Sequence, residues 1–206
     1  MTKLILIRHG QTAWTGQRKY QGSSDTALSE AGIRKMRRLA KEFRKFRTDV
    51  LYVSSLERAI QSAQILAKGT RLNPRVDSRL CEMDFGEWEG KTAEKLLRLK
   101  DKAFLSWTQK QKWLTPPGGE SFFSFRRRVR TFFMDCLKKH PNKTVAVVSH
   151  GGVIRLLILE ALRFPFKFFF SFRIEPASVS IVSMGAKKSG QLLVLNSTGF
   201  FKNPLL

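Results

Sequence analysis

The sequence predicts an α/β fold: a three-layer α/β/α sandwich with a mostly parallel central sheet, helices on both faces and a small helical cap. Three observations carry this expectation. Short, near-continuous apolar runs recur where buried strands would lie, basic amphipathic segments alternate with them, and one aromatic-rich stretch interrupts the alternation.

The run from Lys3 to Ile7 is the first strand, apolar on both faces as a central parallel strand must be. From Ser29, the apolar residues Ile33, Met36, Ala40 and Phe43 fall at helical spacing among lysines and arginines, which predicts an amphipathic helix over one sheet face. Val50 to Val53 is a second strand. Ser54-Ser55 then offers an N-cap to a helix whose apolar positions are Ala59, Ile60, Ala63 and Leu66, placing Arg58 in its first turn. The stretch from Glu82 to Pro117, with Trp88, Trp107 and Trp113, reads as a loop and helical excursions, a cap-like insertion at about 83–117. Pro116-Pro117-Gly118-Gly119 breaks the chain before a helix marked by Phe125, Val129, Phe132 and Cys136, with Arg126, Arg127 and Arg130 on its other side. His140 falls in a polar turn and is expected to be exposed and without a role. Thr144 to Ser149 is another buried strand, and Gly151-Gly152 opens a helix to about Leu162. Strands at Ser178 to Met184 and Gln191 to Asn196 close the chain. No Pro/Ser-rich linker divides residues 1–206, which are read as one domain.

Composition narrows the function. The first residues enter a strand directly, without the charged and apolar regions of a secretory signal, so a cytoplasmic location is expected. The most apolar stretch, Ile154 to Phe172, carries Arg155, Glu160, Arg163 and Lys167 and is broken by Pro165, so it reads as core helix and loop, with no membrane span. Cys81 and Cys136 lack metal-ligand spacing; no disulfide, metal or other cofactor is expected. Lys and Arg number 38 against 16 Asp and Glu, a formal charge of +22. Anionic partners follow: phosphorylated small molecules, nucleic acid, or an acidic membrane face. The cations favour helical faces without regularly interleaved aromatics, which favours steering or a solvated face over a nucleic-acid site.

Two histidines share one local setting, past a strand and before glycine: Arg8-His9-Gly10 and Ser149-His150-Gly151-Gly152. In an open α/β sheet the carboxyl ends of the strands meet at one crevice, so the imidazoles can converge there. Phosphoryl transfer needs cations around three oxygens, an in-line nucleophile and a proton donor. Arg8 and Arg58 supply forked cations at strand ends, and the amides after His150 open a helix, a natural anion site. No Walker-type loop or Mg²⁺-site spacing occurs, which favours metal-free chemistry. Composition alone does not choose the acid among Glu82, Asp84, Glu87 and Glu89, a cluster with the character of a solvated loop. Arg58 by itself reads as a surface helix residue paired with a carboxylate.

The order of these segments resembles the histidine phosphatase superfamily, also called the phosphoglycerate mutase-like family. The resemblance rests on Arg8-His9-Gly10-Gln11-Thr12, Ser54-Ser55-Leu56-Glu57-Arg58-Ala59, Glu82 through Gly90, and Ser149-His150-Gly151-Gly152. It implies a phosphomonoesterase with His9 as the nucleophile that becomes phosphohistidine. Arg8, Arg58 and His150 would hold the phosphoryl group and Glu82 would be the general acid. Thr15, Gln21, Gly22 and Gly151 would touch substrate, although the family usually has Asn at Thr15 and an Arg near Lys19. The compact cap favours hydrolysis over a mutase, the alternative activity, and Asp84-Phe85-Gly86-Glu87-Trp88-Glu89-Gly90 is similar to α-ribazole phosphatases and broad-specificity phosphatases. The expected substrate is a small phosphorylated metabolite, α-ribazole 5′-phosphate among the candidates. A non-catalytic phosphate or nucleic-acid binder on the same fold is the reading from another class, and a homodimer is left open.

Overall fold

The computed structural model describes residues 1–109, 115–185 and 189–198. Trp113 lies outside them. The strands are β1 (Thr2–Arg8), β2 (Val50–Val53), β3 (Arg75–Val76), β4 (Thr144–Ser149), β5 (Val179–Met184) and β6 (Gln191–Ser197). Among the described residues they form one sheet in the order β3-β2-β4-β1-β5-β6. The first four run parallel, whereas β5 lies antiparallel to β1 and β6 antiparallel to β5. This is the mixed, mostly parallel α/β sheet expected.

Side chains alternate across β1 as the pleat requires and divide the interior into two cores. Ile5 and Ile7 face α2 (Glu30–Phe43) and α3 (Glu57–Ala67), meeting Met36, Ala40, Phe43, Ala59, Ala63 and Leu66. Leu4 and Leu6 face α6 (Phe122–Lys139) and α7 (Gly151–Leu162). Helix α2 starts as the sequence predicts, with the Ser29 hydroxyl accepting the Gly32 N–H. Helix α7 is buried nearly all round, which explains why its sequence is apolar without an amphipathic stripe. It stops at Arg163 in a left-handed conformation, two residues before Pro165.

Two local expectations give way. Ser54 and Ser55 do not cap α3: its N-cap is Leu56, with no side-chain cap bond. The Ser54 hydroxyl instead pairs with His150, and Ser55 pairs with the Cys81 thiol. His140 ends α6 half-buried and pairs with the Tyr52 hydroxyl at 2.9 Å, so it is a packed helix terminus rather than an exposed turn. Between β3 and α6 the aromatic-rich stretch holds α4 (Ala93–Arg98) and α5 (Lys102–Gln109), while α1 (Ala13–Gly16) follows β1. Trp88, Phe104, Trp107 and Tyr20 pack edge to face in this region, the geometry that aromatic quadrupoles favour. Among the described residues no helix is long and apolar enough to cross a membrane.

Candidate active site

Register builds the site. Arg8 of β1 lies opposite Ser149 of β4, so the next residues, His9 and His150, leave neighbouring parallel strands side by side. Their rings stand 5.1 Å apart between centroids, tilted by 54°. The His9 amide donates to the Ser149 carbonyl at 2.9 Å, and the Ser54 amide at the end of β2 donates to Val148. Three strand ends thus meet at the carboxyl edge of the sheet.

His9 is 2% exposed, and its Nδ1–H donates to the Gly10 carbonyl at 2.7 Å. A carbonyl only accepts, so the bond fixes the tautomer and leaves Nε2 with its lone pair. Burial first, then the charges of Arg8 and Arg58, hold its pKa well below 6.5, so the ring is neutral. Gly10 is itself anchored, its amide donating to the buried Ser62 hydroxyl, which donates to the Arg58 carbonyl. His150 is neutral for the same leading reason, burial, aided by Arg58 and by His9. Its Nδ1 accepts from Arg58 Nε at 3.3 Å and its Nε2 pairs with Ser54 Oγ at 2.8 Å.

Arg58 is 1% exposed and is no surface residue. The expectation of a carboxylate partner fails because the guanidinium bonds instead to the carbonyls of Ser24 and Gly22, each at 2.7 Å, besides His150. Three of its five N–H groups are so engaged, leaving one on each terminal nitrogen. Arg8 donates from Nη1 to the Ile174 carbonyl, but its buried Nε has no partner. Burial pushes the Arg8 pKa down to about 10, against the attraction of Glu82. An unpartnered guanidinium N–H in a buried, cationic site is costly unless an anion arrives to accept it.

Glu82 is singled out from its acidic neighbours by position. Its carboxylate accepts the Gly152 N–H at the start of α7 and the Met83 N–H, and it lines a cavity of about 230 Å³ walled by aromatic side chains. Glu89 points elsewhere: it accepts from the amides of Ser23, Ser24 and Phe85 and clamps the loop over Arg58. That loop needs Gly22, whose φ is +52° and where a Cβ would lie 1.8 Å from a Glu89 oxygen. Asp84 accepts from the Gly86 amide within its own turn.

The residues expected to touch substrate sit in the stretch after His9 and at the start of α7. Thr15 and Gln21 bond to each other at 2.8 Å, and Gln21 Oε1 accepts from the hydroxyls of Thr12 and Thr26. Thr15 Oγ1 also accepts the Thr12 amide and pairs with Thr12 Oγ1, closing the capping box of α1. Gly22 contributes its carbonyl to Arg58. Gly151 lies against the Arg8 guanidinium in the first turn of α7. Lys19 stands over the Trp14 ring at 5.8 Å.

The model of the histidine phosphatase superfamily (branch 1) matches residues 4–198. The chain belongs to the histidine phosphatase superfamily. Phosphoserine phosphatase 1 of Hydrogenobacter thermophilus is 34% identical over 96% of this chain and 93% of that protein. The adenosylcobalamin/alpha-ribazole phosphatase of Escherichia coli is 30% identical over 95% and 96%. The alpha-ribazole phosphatase structure from Shigella flexneri superposes with a TM-score of 0.89 at 28% identity, covering 98% of this chain and 99% of that one. This histidine phosphatase is therefore an enzyme of the phosphomonoesterase kind, working through a phosphohistidine.

Some residues that shape this histidine phosphatase's site escape sequence reasoning. Arg128 sits in a run of arginines that reads as solvated, yet it donates to the carbonyls of Arg79, Cys81 and Glu82 and forms a two-pronged ion pair with Glu120. It holds the backbone of the Glu82 loop. Ser62 carries no motif, and Ser54, though part of the Ser54-to-Ala59 segment, is read there only as a helix cap. Only their place beside His150 and Gly10 shows their work.

Proposed function

We propose that the enzyme hydrolyses small organic phosphate monoesters without a metal ion, with His9 as nucleophile and Glu82 as general acid and base. The observation that carries this is the fixed His9 tautomer, which leaves Nε2 free beside a second buried imidazole and an arginine N–H without a partner. Nε2 attacks phosphorus as the ester P–O bond breaks, and Glu82 gives a proton to the departing alkoxide. Water then attacks the phosphohistidine, Glu82 takes its proton, and inorganic phosphate leaves. Arg8, Arg58 and His150 hold the phosphoryl oxygens, His150 by exchanging the Ser54 hydroxyl on its Nε2–H for an oxygen of the substrate, with the Arg8 Nε and the remaining Arg58 N–H groups balancing charge in the transition state. Gly151 presents the first turn of α7, and the 83–117 segment acts as the cap of a single domain.

The leaving alcohol occupies the cavity beside Glu82, walled by Tyr20, Phe85, Trp107, Phe122, Phe125 and Phe169. The rings favour a flat aromatic group, with Arg155 a cation in the same wall. α-Ribazole 5′-phosphate represents that class better than phosphoserine.

The test is p-nitrophenyl phosphate hydrolysis by wild type and His9→Ala, each with EDTA. Wild type is expected to turn over fully under chelation and the variant to lose on the order of 10³-fold or more. Residual turnover near wild type sinks the assignment of the nucleophile, and loss under EDTA sinks the metal-free chemistry. With α-ribazole 5′-phosphate and phosphoserine compared on kcat/KM, preference for phosphoserine overturns the substrate class alone.

A further inference from the structure

Away from the site, one face of the molecule joins large exposed apolar groups to a ring of cations. Phe123 and Met134 of α6 are 60% and 55% exposed, and Phe164 and Phe168, on the segment after α7, are 51% and 40% exposed. They are contiguous. Phe123 and Met134 line one shallow depression with Arg126, Arg127 and Arg130, and Met134 and Phe164 line the next with Arg126, Arg130 and Arg163. Lys167 stands 5.3 Å from the Phe168 ring. The acids of this face are Glu160, which bridges Arg126 and Arg130, and Asp135, which pairs with Arg79. They leave the cations in surplus.

Exposed phenylalanines grouped in this way mark a surface that meets a partner. We propose that this face docks the enzyme peripherally on an anionic lipid surface, the phenylalanines and Met134 entering the headgroup boundary and the arginines pairing with lipid phosphates. Shallow insertion of aromatic and apolar groups under a basic rim is how a protein lies on a bilayer without crossing it. The charge of the chain, +22, complements such a surface and opposes a second copy, which would bring like charge to like. Single-stranded nucleic acid fits less well. Phe164 and Phe168 meet each other tilted by 57° at 6.2 Å, leaving no parallel slot in which a base would stack. The same turn continues through Phe169 and Phe170 into the wall of the Glu82 cavity, so a docked enzyme works at the lipid surface.

Co-sedimentation of the whole protein with vesicles tests this. Vesicles of phosphatidylglycerol mixed with phosphatidylcholine are compared with phosphatidylcholine alone, at about 0.15 M salt. The wild type is expected to bind the anionic vesicles and not the neutral ones. Phe164→Ser/Phe168→Ser is expected to bind about tenfold more weakly or worse, while keeping its melting temperature and its p-nitrophenyl phosphate turnover. Binding that the double variant leaves unchanged overturns the proposal, since charge alone then explains it. No binding by the wild type also overturns it. So does a single-stranded oligonucleotide bound more tightly than vesicles through the same phenylalanines, or a dimer in light scattering that the double variant dissolves.

Discussion

His9 and His150 show what burial does to a titrating side chain. Each ring is neutral in the folded enzyme because desolvation and the nearby arginines penalise the imidazolium. In the unfolded chain each has the ordinary value near 6.5. Below that pH the unfolded state takes up protons that the native state refuses, so stability contributed by the neutral rings is fully present above pH 6.5 and is lost as pH falls beneath it. Thermal unfolding followed from pH 8 to pH 5 is expected to show the melting temperature dropping below about 6.5, with a smaller drop in His150→Gln. A flat profile in the wild type would show that the rings protonate in place. With His9 as the proposed nucleophile, catalysis is expected to follow the same sign: the free enzyme keeps Nε2 unprotonated below pH 6.5, so the acid limb of kcat/KM is expected lower than an exposed histidine would place it.

At the scale of elements, the site depends on how closely α2 approaches the loop after His9. A Cβ on Gly32 would lie 2.1 Å from the Gln11 carbonyl oxygen and 2.8 Å from the Gln11 amide, both backbone atoms that cannot step aside alone. That carbonyl also accepts from the amide and hydroxyl of Ser29, which start the helix. Gly32→Ala would gain up to about 1 kcal/mol of helix propensity, but overpacking against backbone costs about 1–3 kcal/mol, so the clash wins. The variant is expected to melt lower and to lose turnover as the loop carrying His9 and Gly10 shifts. Gly185→Ala, which meets nothing within 4 Å, is the control and should be neutral. A Gly32→Ala protein as stable and active as wild type would refute the close approach. None of this was legible in the sequence, where Gly32 is one more residue in a helical pattern. The strands and helices were legible because burial on two faces leaves apolar runs and burial on one leaves a stripe. β3 was not, since two paired residues have no period, and Ser54 misled because a serine before a helix is an N-cap unless something larger, here His150, claims its hydroxyl.

Over the whole molecule, two readings of the positive charge make opposite predictions about rate. The convergence of the two histidines was legible from their strand-end positions, whereas the burial of Arg58 was not, and Glu82 became separable from Asp84, Glu87 and Glu89 once its carboxylate was seen at the start of α7. The helical pattern already places Arg37 and Lys41 on the outer face of α2, where they are exposed, and the fold shows that they stand outside the hydrogen-bonded histidine cluster. If the field steers phosphate dianions, kcat/KM falls as salt rises, because the screening length shrinks from about 30 Å at 0.01 M to about 10 Å at 0.1 M. Steering raises association by about tenfold or more, so a decline of that order is expected while kcat stays constant. Arg37→Glu/Lys41→Glu should flatten the dependence without changing kcat, since neither side chain touches the site. A salt dependence identical in the double variant would mean that the distant cations are a solvated face, and that the local arginines, Arg8 and Arg58, supply the whole of the attraction felt by an incoming phosphate.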